Sequence, residues 1–228
     1  MKKLLLQIRY KLAGLLLLLK FHSPVSAQIT SGPFDNEISF YRQMDTMMPV
    51  PEHPILFLGS SSIKNWDAFD SVFAEYPVLN RGFGGSQIYD VINYADDVLL
   101  KYDPKQIVIY VGENDFARSD SVSAEIVYGR FKELYLIIRN KFPEVPILYL
   151  SIKPSPAKHD RMNKIKLYNH LVNDFIATQK NISFVDVYSA MLKGDGKANR
   201  DLFYDDMTHM NENGYAVWDE IVKPLLLK

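Results

Sequence analysis

The chain contains no cysteine. Disulfides, thiolate metal sites and a lipid anchor on cysteine are therefore excluded. It has no strong excess of either charge, with a formal net of -1. The first 27 residues carry Lys2, Lys3, Arg9, Lys11 and Lys20 and no acid, so the remainder holds 21 basic and 27 acidic residues, a net of -6. A mildly acidic surface argues against nucleic acid or an anionic membrane as the main partner. A long apolar run is also missing. The stretch Leu12 to Leu19 is shorter than the roughly 20 residues that a spanning helix needs. There is no Gly-Lys-Ser/Thr run, and a dinucleotide fingerprint begun at Gly82 fails at Gln87. No histidine and carboxylate spacing resembles a standard zinc site. The expectation is a chain without metal or cofactor.

What is present is enough for one well-cored domain: 228 residues, 47% of them hydrophobic. The basic start, the short apolar core and Val25-Ser26-Ala27 read as a signal peptide over residues 1–27, cleaved after Ala27. That implies export to a periplasm or to the exterior, with no stable membrane insertion after cleavage. Residues 28–50 read as an N-terminal extension with a short helix from Phe34 to Met48, ended by Pro49-Val50-Pro51. Residues 51–228 form the main domain.

In that domain the hydrophobic period alternates. Ile55 to Leu58, Val78 to Asn80, Gln106 to Val111, Ile147 to Leu150 and Ile182 to Val187 are short apolar runs suited to buried parallel strands. Between them lie helical stripes: Ile88 to Leu99, Val127 to Ile138, Tyr168 to Ile176 and Val217 to Leu225. Strands alternating with helices predict βαβ units and a parallel sheet covered on both faces.

Four short motifs stand at the ends of these elements: Gly59-Ser60-Ser61-Ser62, Gly82-Phe83-Gly84-Gly85, Gly112-Glu113-Asn114-Asp115 and Asp206-Met207-Thr208-His209. With strand order 2-1-3-4-5, the Gly85 and Asn114 loops flank Ser61, and open α/β sheets collect function at such strand ends. A serine hydroxyl needs an adjacent base. His209 is the candidate, because His22, His53, His159 and His170 belong to no motif. Asp206, three residues earlier, can hold the imidazole tautomer. The Ser61 and Gly85 N–H groups and the Asn114 amide are candidate donors to an oxyanion. Trp66 and Phe116 lie beside the motifs, either facing substrate or packing beneath the loops.

Taken together, the motifs from Ile55 to Leu225 resemble the SGNH/GDSL hydrolase family. The resemblance implies a flavodoxin-like three-layer α/β/α sandwich with a five-stranded parallel sheet. It implies Ser61 as nucleophile, Gly85 and Asn114 as oxyanion donors and His209 with Asp206 as base. One departure is Ser60, where the family usually carries Asp beside the nucleophile. The implied activity is hydrolysis of a small acyl ester, acetyl above all, on a small molecule or carbohydrate. A lysophospholipase or thioesterase with the same triad, and a non-catalytic glycan-binding member of the fold, are the alternatives. Oligomeric state is not legible.

Overall fold

The computed structural model describes residues 32–117 and 121–228. The segment read as a signal peptide lies outside them. Five strands, β1 Ile55–Gly59, β2 Val78–Gly82, β3 Gln106–Tyr110, β4 Ile147–Leu150 and β5 Ile182–Val185, form one parallel sheet in the order β2-β1-β3-β4-β5. This is the predicted topology. The strands are short and nearly all apolar because both faces are covered. Side chains alternate between two cores. Leu56, Leu58, Ile107, Ile109, Ile147 and Tyr149 point to one, and Ile55, Phe57, Val108, Tyr110, Leu148 and Leu150 to the other.

Against the first core pack α1 Asp35–Met47, α4 Ile88–Asn93, α5 Ala124–Lys141 and α6 Met162–Ala177; against the second pack α2 Ser61–Lys64, α3 Phe69–Val72 and α8 Glu212–Val222, with the short α7 Val187–Ala190 following β5. The Val127 to Ile138 and Tyr168 to Ile176 stripes each become the buried face of one helix, while the Val217 to Leu225 stripe outruns α8, which ends at Val222, and leaves Leu225 exposed on a 3-10 turn. The Ile88 to Leu99 stripe is divided between α4 and a π-helical turn over Asp96–Leu100. The wider turn rephases the chain, so Val98 and Leu99 still reach the core.

Helix α1, read from sequence as part of an extension, packs within the compact unit Phe34–Lys228. The Phe34 ring meets Phe83 edge-on at 5.0 Å. Asp45 pairs with buried Arg81 and with Lys101, and accepts the Tyr102 hydroxyl at 2.7 Å. Among the described residues no helix is long and apolar enough to cross a membrane.

Candidate active site

Strand register sets the site. Gly59 is paired with Gly82 on one side and Tyr110 on the other, so three strand ends lie level. Gly59 has φ +149°, and a Cβ there would sit 1.9 Å from the Tyr110 carbonyl oxygen. Only glycine permits that turn. Ser60 then leaves the sheet in extended conformation, and its carbonyl accepts from the Ile63 and Lys64 N–H groups. Ser61 becomes the first residue of α2, where its own N–H has no intrahelical acceptor. Burial separates the three serines. Ser60 and Ser62 are 1% and 2% exposed, whereas Ser61 is only partly covered. The Ser62 carbonyl accepts from the Tyr215 hydroxyl at 3.3 Å.

The glycine loop approaches from β2. A Cβ on Gly82 would lie 2.5 Å from the Lys64 nitrogen, so this strand end fits against α2 only as glycine. Gly85 is exposed, at φ +79°, with open space where a Cβ would stand. Glu37 of α1 braces the loop, accepting the Gly84 N–H at 3.3 Å and pairing with Lys64. Tyr41 donates to the Gly82 carbonyl.

The third loop is tied to the second. Asn114 Nδ2 donates to the Ser86 carbonyl at 3.1 Å, and Gln87 Nε2 donates to the Asn114 carbonyl at 3.3 Å. An amide has two N–H donors, so this bond fixes the group and leaves one hydrogen for a ligand. Buried Asp115 accepts the Ile88 N–H at the start of α4, 3.0 Å, and pairs with Arg130 at 2.7 Å. Burial raises the Asp115 pKa and Arg130 opposes the rise.

Glu113, just before Asn114, is buried beneath the site. Its Oε2 accepts from Tyr110 Oη at 2.8 Å and Lys153 Nζ at 2.5 Å; its Oε1 accepts from Ser155 Oγ at 2.5 Å and Lys158 Nζ at 2.9 Å. Burial would raise its pKa, but the two lysine charges and these bonds hold it well below the usual carboxylate range. Burial pushes the Lys153 ammonium the other way, down, with Glu113 opposing.

The fourth motif closes on itself. Asp206 Oδ1 accepts the N–H groups of Thr208 and His209, each at 2.9 Å, while Oδ2 lies 2.6 Å from His209 Nδ1. Met207, between them, has φ +54°, a left-handed conformation that a side-chain-bearing residue rarely holds. Burial would raise the Asp206 pKa; the bonds to the His209 ring and to the two N–H groups prevail and hold it at about 2. Asn211 caps α8 immediately after, accepting Gly214 N–H at 3.1 Å. An open crevice of about 850 Å³ lies against the pair, lined by Asn65, Phe203, Tyr204, Asp205, Asp206, His209, Asn211 and Glu212. Asn65 directly follows α2, so the helix that begins at Ser61 borders the same space as His209.

Occupied by an ester, this arrangement offers an accessible hydroxyl, an imidazole whose Nδ1 is already engaged, and N–H donors from two flanking loops. Two expected substrate contacts are corrected. Trp66 is buried among Phe57, Phe69, Phe73, Tyr215 and Trp218, with its indole N–H on Asp219. Phe116 is buried against Tyr168. Both loops turn their aromatic residue inward because it anchors them to the core. Sequence reasoning passed over Glu37, Glu113, Lys153, Ser155, Lys158 and the exposed Tyr204. A lysine three residues beyond a buried strand, at Lys153, was the available signal. Among the described residues no group of three or more His, Asp or Glu could hold a metal ion.

A model described as the GDSL-like Lipase/Acylhydrolase family matches residues 57–217. No curated protein matches the chain. Among solved structures, a GDSL-like lipase from Bacteroides thetaiotaomicron superposes with a TM-score of 0.70 at 20% identity, covering 82% of this chain and 97% of that one. A carbohydrate esterase family 3 protein from Talaromyces cellulolyticus gives 0.62 at 17% identity, over 75% and 95%. An acetyl-xylooligosaccharide esterase from Geobacillus Stearmophilus gives 0.61 at 16%, over 78% and 95%.

Proposed function

The chain belongs to the GDSL-like lipase/acylhydrolase family, and from that premise we propose that it is an exported serine esterase releasing a small acyl group, acetyl above all, from a carbohydrate. The observation that carries the mechanism is the 2.6 Å contact between Asp206 and His209 Nδ1. With Nδ1 donating its proton to Asp206, Nε2 is the basic nitrogen. Ser61 Oγ attacks the ester carbonyl while His209 takes its proton. The Ser61 and Gly85 N–H groups and Asn114 Nδ2 receive the developing oxyanion. His209 returns the proton to the departing alkoxide, and water then attacks the acyl-enzyme by the same path.

The substrate class is supported by the crevice. Its rim carries the Asp205 and Glu212 carboxylates, the Asn65 amide and the ring of Tyr204, which is 56% exposed. Acceptors, a donor amide and an aromatic platform suit a polyhydroxyl ligand better than an acyl chain, for which a dry apolar groove is needed. Two carbohydrate-ester hydrolases among the structural neighbours agree with that choice. Export rests on the basic, apolar and small-residue pattern of residues 1–27.

The test is hydrolysis of p-nitrophenyl acetate by residues 28–228, beside Ser61→Ala, followed by a series of acyl lengths and by acetylated sugars. Turnover that is lost in the variant and falls with acyl length is the expected result. Equal turnover in both proteins would remove Ser61 from the mechanism. A preference for long chains would favour the lysophospholipase or thioesterase reading instead.

A further inference from the structure

The Glu113 cluster is built more fully than stability requires. Its carboxylate has two partners on each oxygen, which uses all four lone-pair sites. Buried ion pairs are weak sources of stability, since apolar replacements often serve as well. What such a cluster provides is a fixed relative position of the elements that supply its members. Here they come from three. Tyr110 ends β3, and its carbonyl accepts the N–H of Ser60, next to Ser61, at 3.1 Å. Glu113 itself precedes Asn114. Lys153, Ser155 and Lys158 lie on the segment after β4, and the Ala157 N–H of that segment donates to the Met207 carbonyl at 3.0 Å, inside the Asp206 to His209 turn.

We infer that Glu113 is a positioning residue, whose carboxylate joins the nucleophile turn, the Asn114 loop and the support of the Asp206–His209 turn into one rigid assembly. The cluster also sets the local charge. Two ammonium groups face one carboxylate, and the Lys153 charge reaches Asp206. Glu113→Gln keeps the shape and removes the anion that both lysines face, and Lys158→Met removes one of the two ammonium groups that the carboxylate holds.

This inference rests on the serine-hydrolase reading, so the experiment reads the nucleophile without a substrate. A fluorophosphonate reagent is attacked at phosphorus by Ser61 Oγ; the O–P bond forms, fluoride leaves, and the hydroxyl proton passes to His209. Labelling rates are measured against reagent concentration for the wild type, Glu113→Gln and Lys158→Met, with folding checked by circular dichroism. The expected result is a rate lower by on the order of 10²-fold in Glu113→Gln, the size of a misplacement of about 1 Å. The loss falls on the maximal labelling rate and leaves the half-saturating reagent concentration close to wild type, and Lys158→Met shows the same change in smaller measure. Lys158 is partly exposed at the rim of the cluster, so its variant still gives a result if Glu113→Gln fails to fold. Folded variants labelled at the wild-type rate, or a loss that lies in the half-saturating concentration instead of the maximal rate, would overturn the positioning role alone. A folded wild type that is not labelled would overturn the serine-hydrolase reading and the inference with it.

Discussion

The two halves of the proposed site are made in different ways. The acid–base side is local: Asp206 bonds Thr208, the His209 N–H and the His209 ring, all within four residues, and its side chains are 49% and 42% exposed. The nucleophile side is distributed. Ser61, Gly85 and Asn114 come from three strand ends, and their settings depend on Tyr110, Ser86, Glu37 and Arg130, some of them dozens of residues away. A local turn can be altered without disturbing the domain, whereas a distributed site shares its contacts with the fold. Damage to the first is expected in chemistry alone; damage to the second is expected in chemistry and stability together.

The sharpest break of that comparison is Asp206→Asn. The change keeps the volume but loses the carboxylate that fixes the His209 tautomer. A fall in kcat of about 10⁴-fold is expected, the cost of the wrong tautomer in a triad. KM and Tm should stay close to wild type, because the turn lies in the open. Steady-state kinetics beside a thermal melt check this; a Tm lowered as far as that of core variants would mean that the turn is not local. Next in size is Asn114→Ala. It removes one oxyanion donor, for a loss of roughly 10²–10³ in kcat, and it also cuts the bond to Ser86. One such hydrogen bond contributes about 1 kcal/mol, which lowers Tm by about 2–4 °C in a domain of this size. Loss of activity with an unmoved Tm would show that Asn114 carries no share of the loop packing.

The same contrast explains what could be read before the structure. The strands and the four helical stripes were legible because burial on two faces leaves a periodic trace, whereas the strand order came with the family resemblance. The Asp206–His209 pair was legible because both partners sit in one four-residue motif. The choice of Ser61 among three adjacent serines could be counted from Gly59, and the structure adds the physical difference, since Ser60 and Ser62 are buried. The brace from Glu37 to Gly84 was not legible, because it joins residues 47 apart. Nor was the Glu113 cluster, whose lysines follow a different strand. Trp66 and Phe116 show the opposite failure: an aromatic residue beside a motif has the same one-dimensional appearance whether it faces a ligand or the core. The division of the Ile88 to Leu99 stripe left no trace either, because the apolar positions stay in phase with the core across the π turn.

The smallest effect is in acid stability, and it too separates the sides. Both Asp206 and Glu113 have folded pKa values below the ordinary carboxylate range, about 2 for the former. A carboxylate lowered on folding contributes stability that is complete above its unfolded pKa, about 4, and is lost as pH falls through the folded value. For Asp206 the window therefore runs from about pH 4 to pH 2, and solvent at a half-exposed pair screens the contribution to little. Glu113 is buried with two cations beside it, so protonating it leaves both lysines uncompensated. In melts from pH 7 down to pH 2, Asp206→Asn should follow the wild-type curve almost in parallel. Glu113→Gln should start lower and fall less steeply below pH 4, because the group whose titration costs most is gone. Equal slopes in wild type and Glu113→Gln would mean that the cluster is open to water, and that the nucleophile side is held by packing rather than by charge.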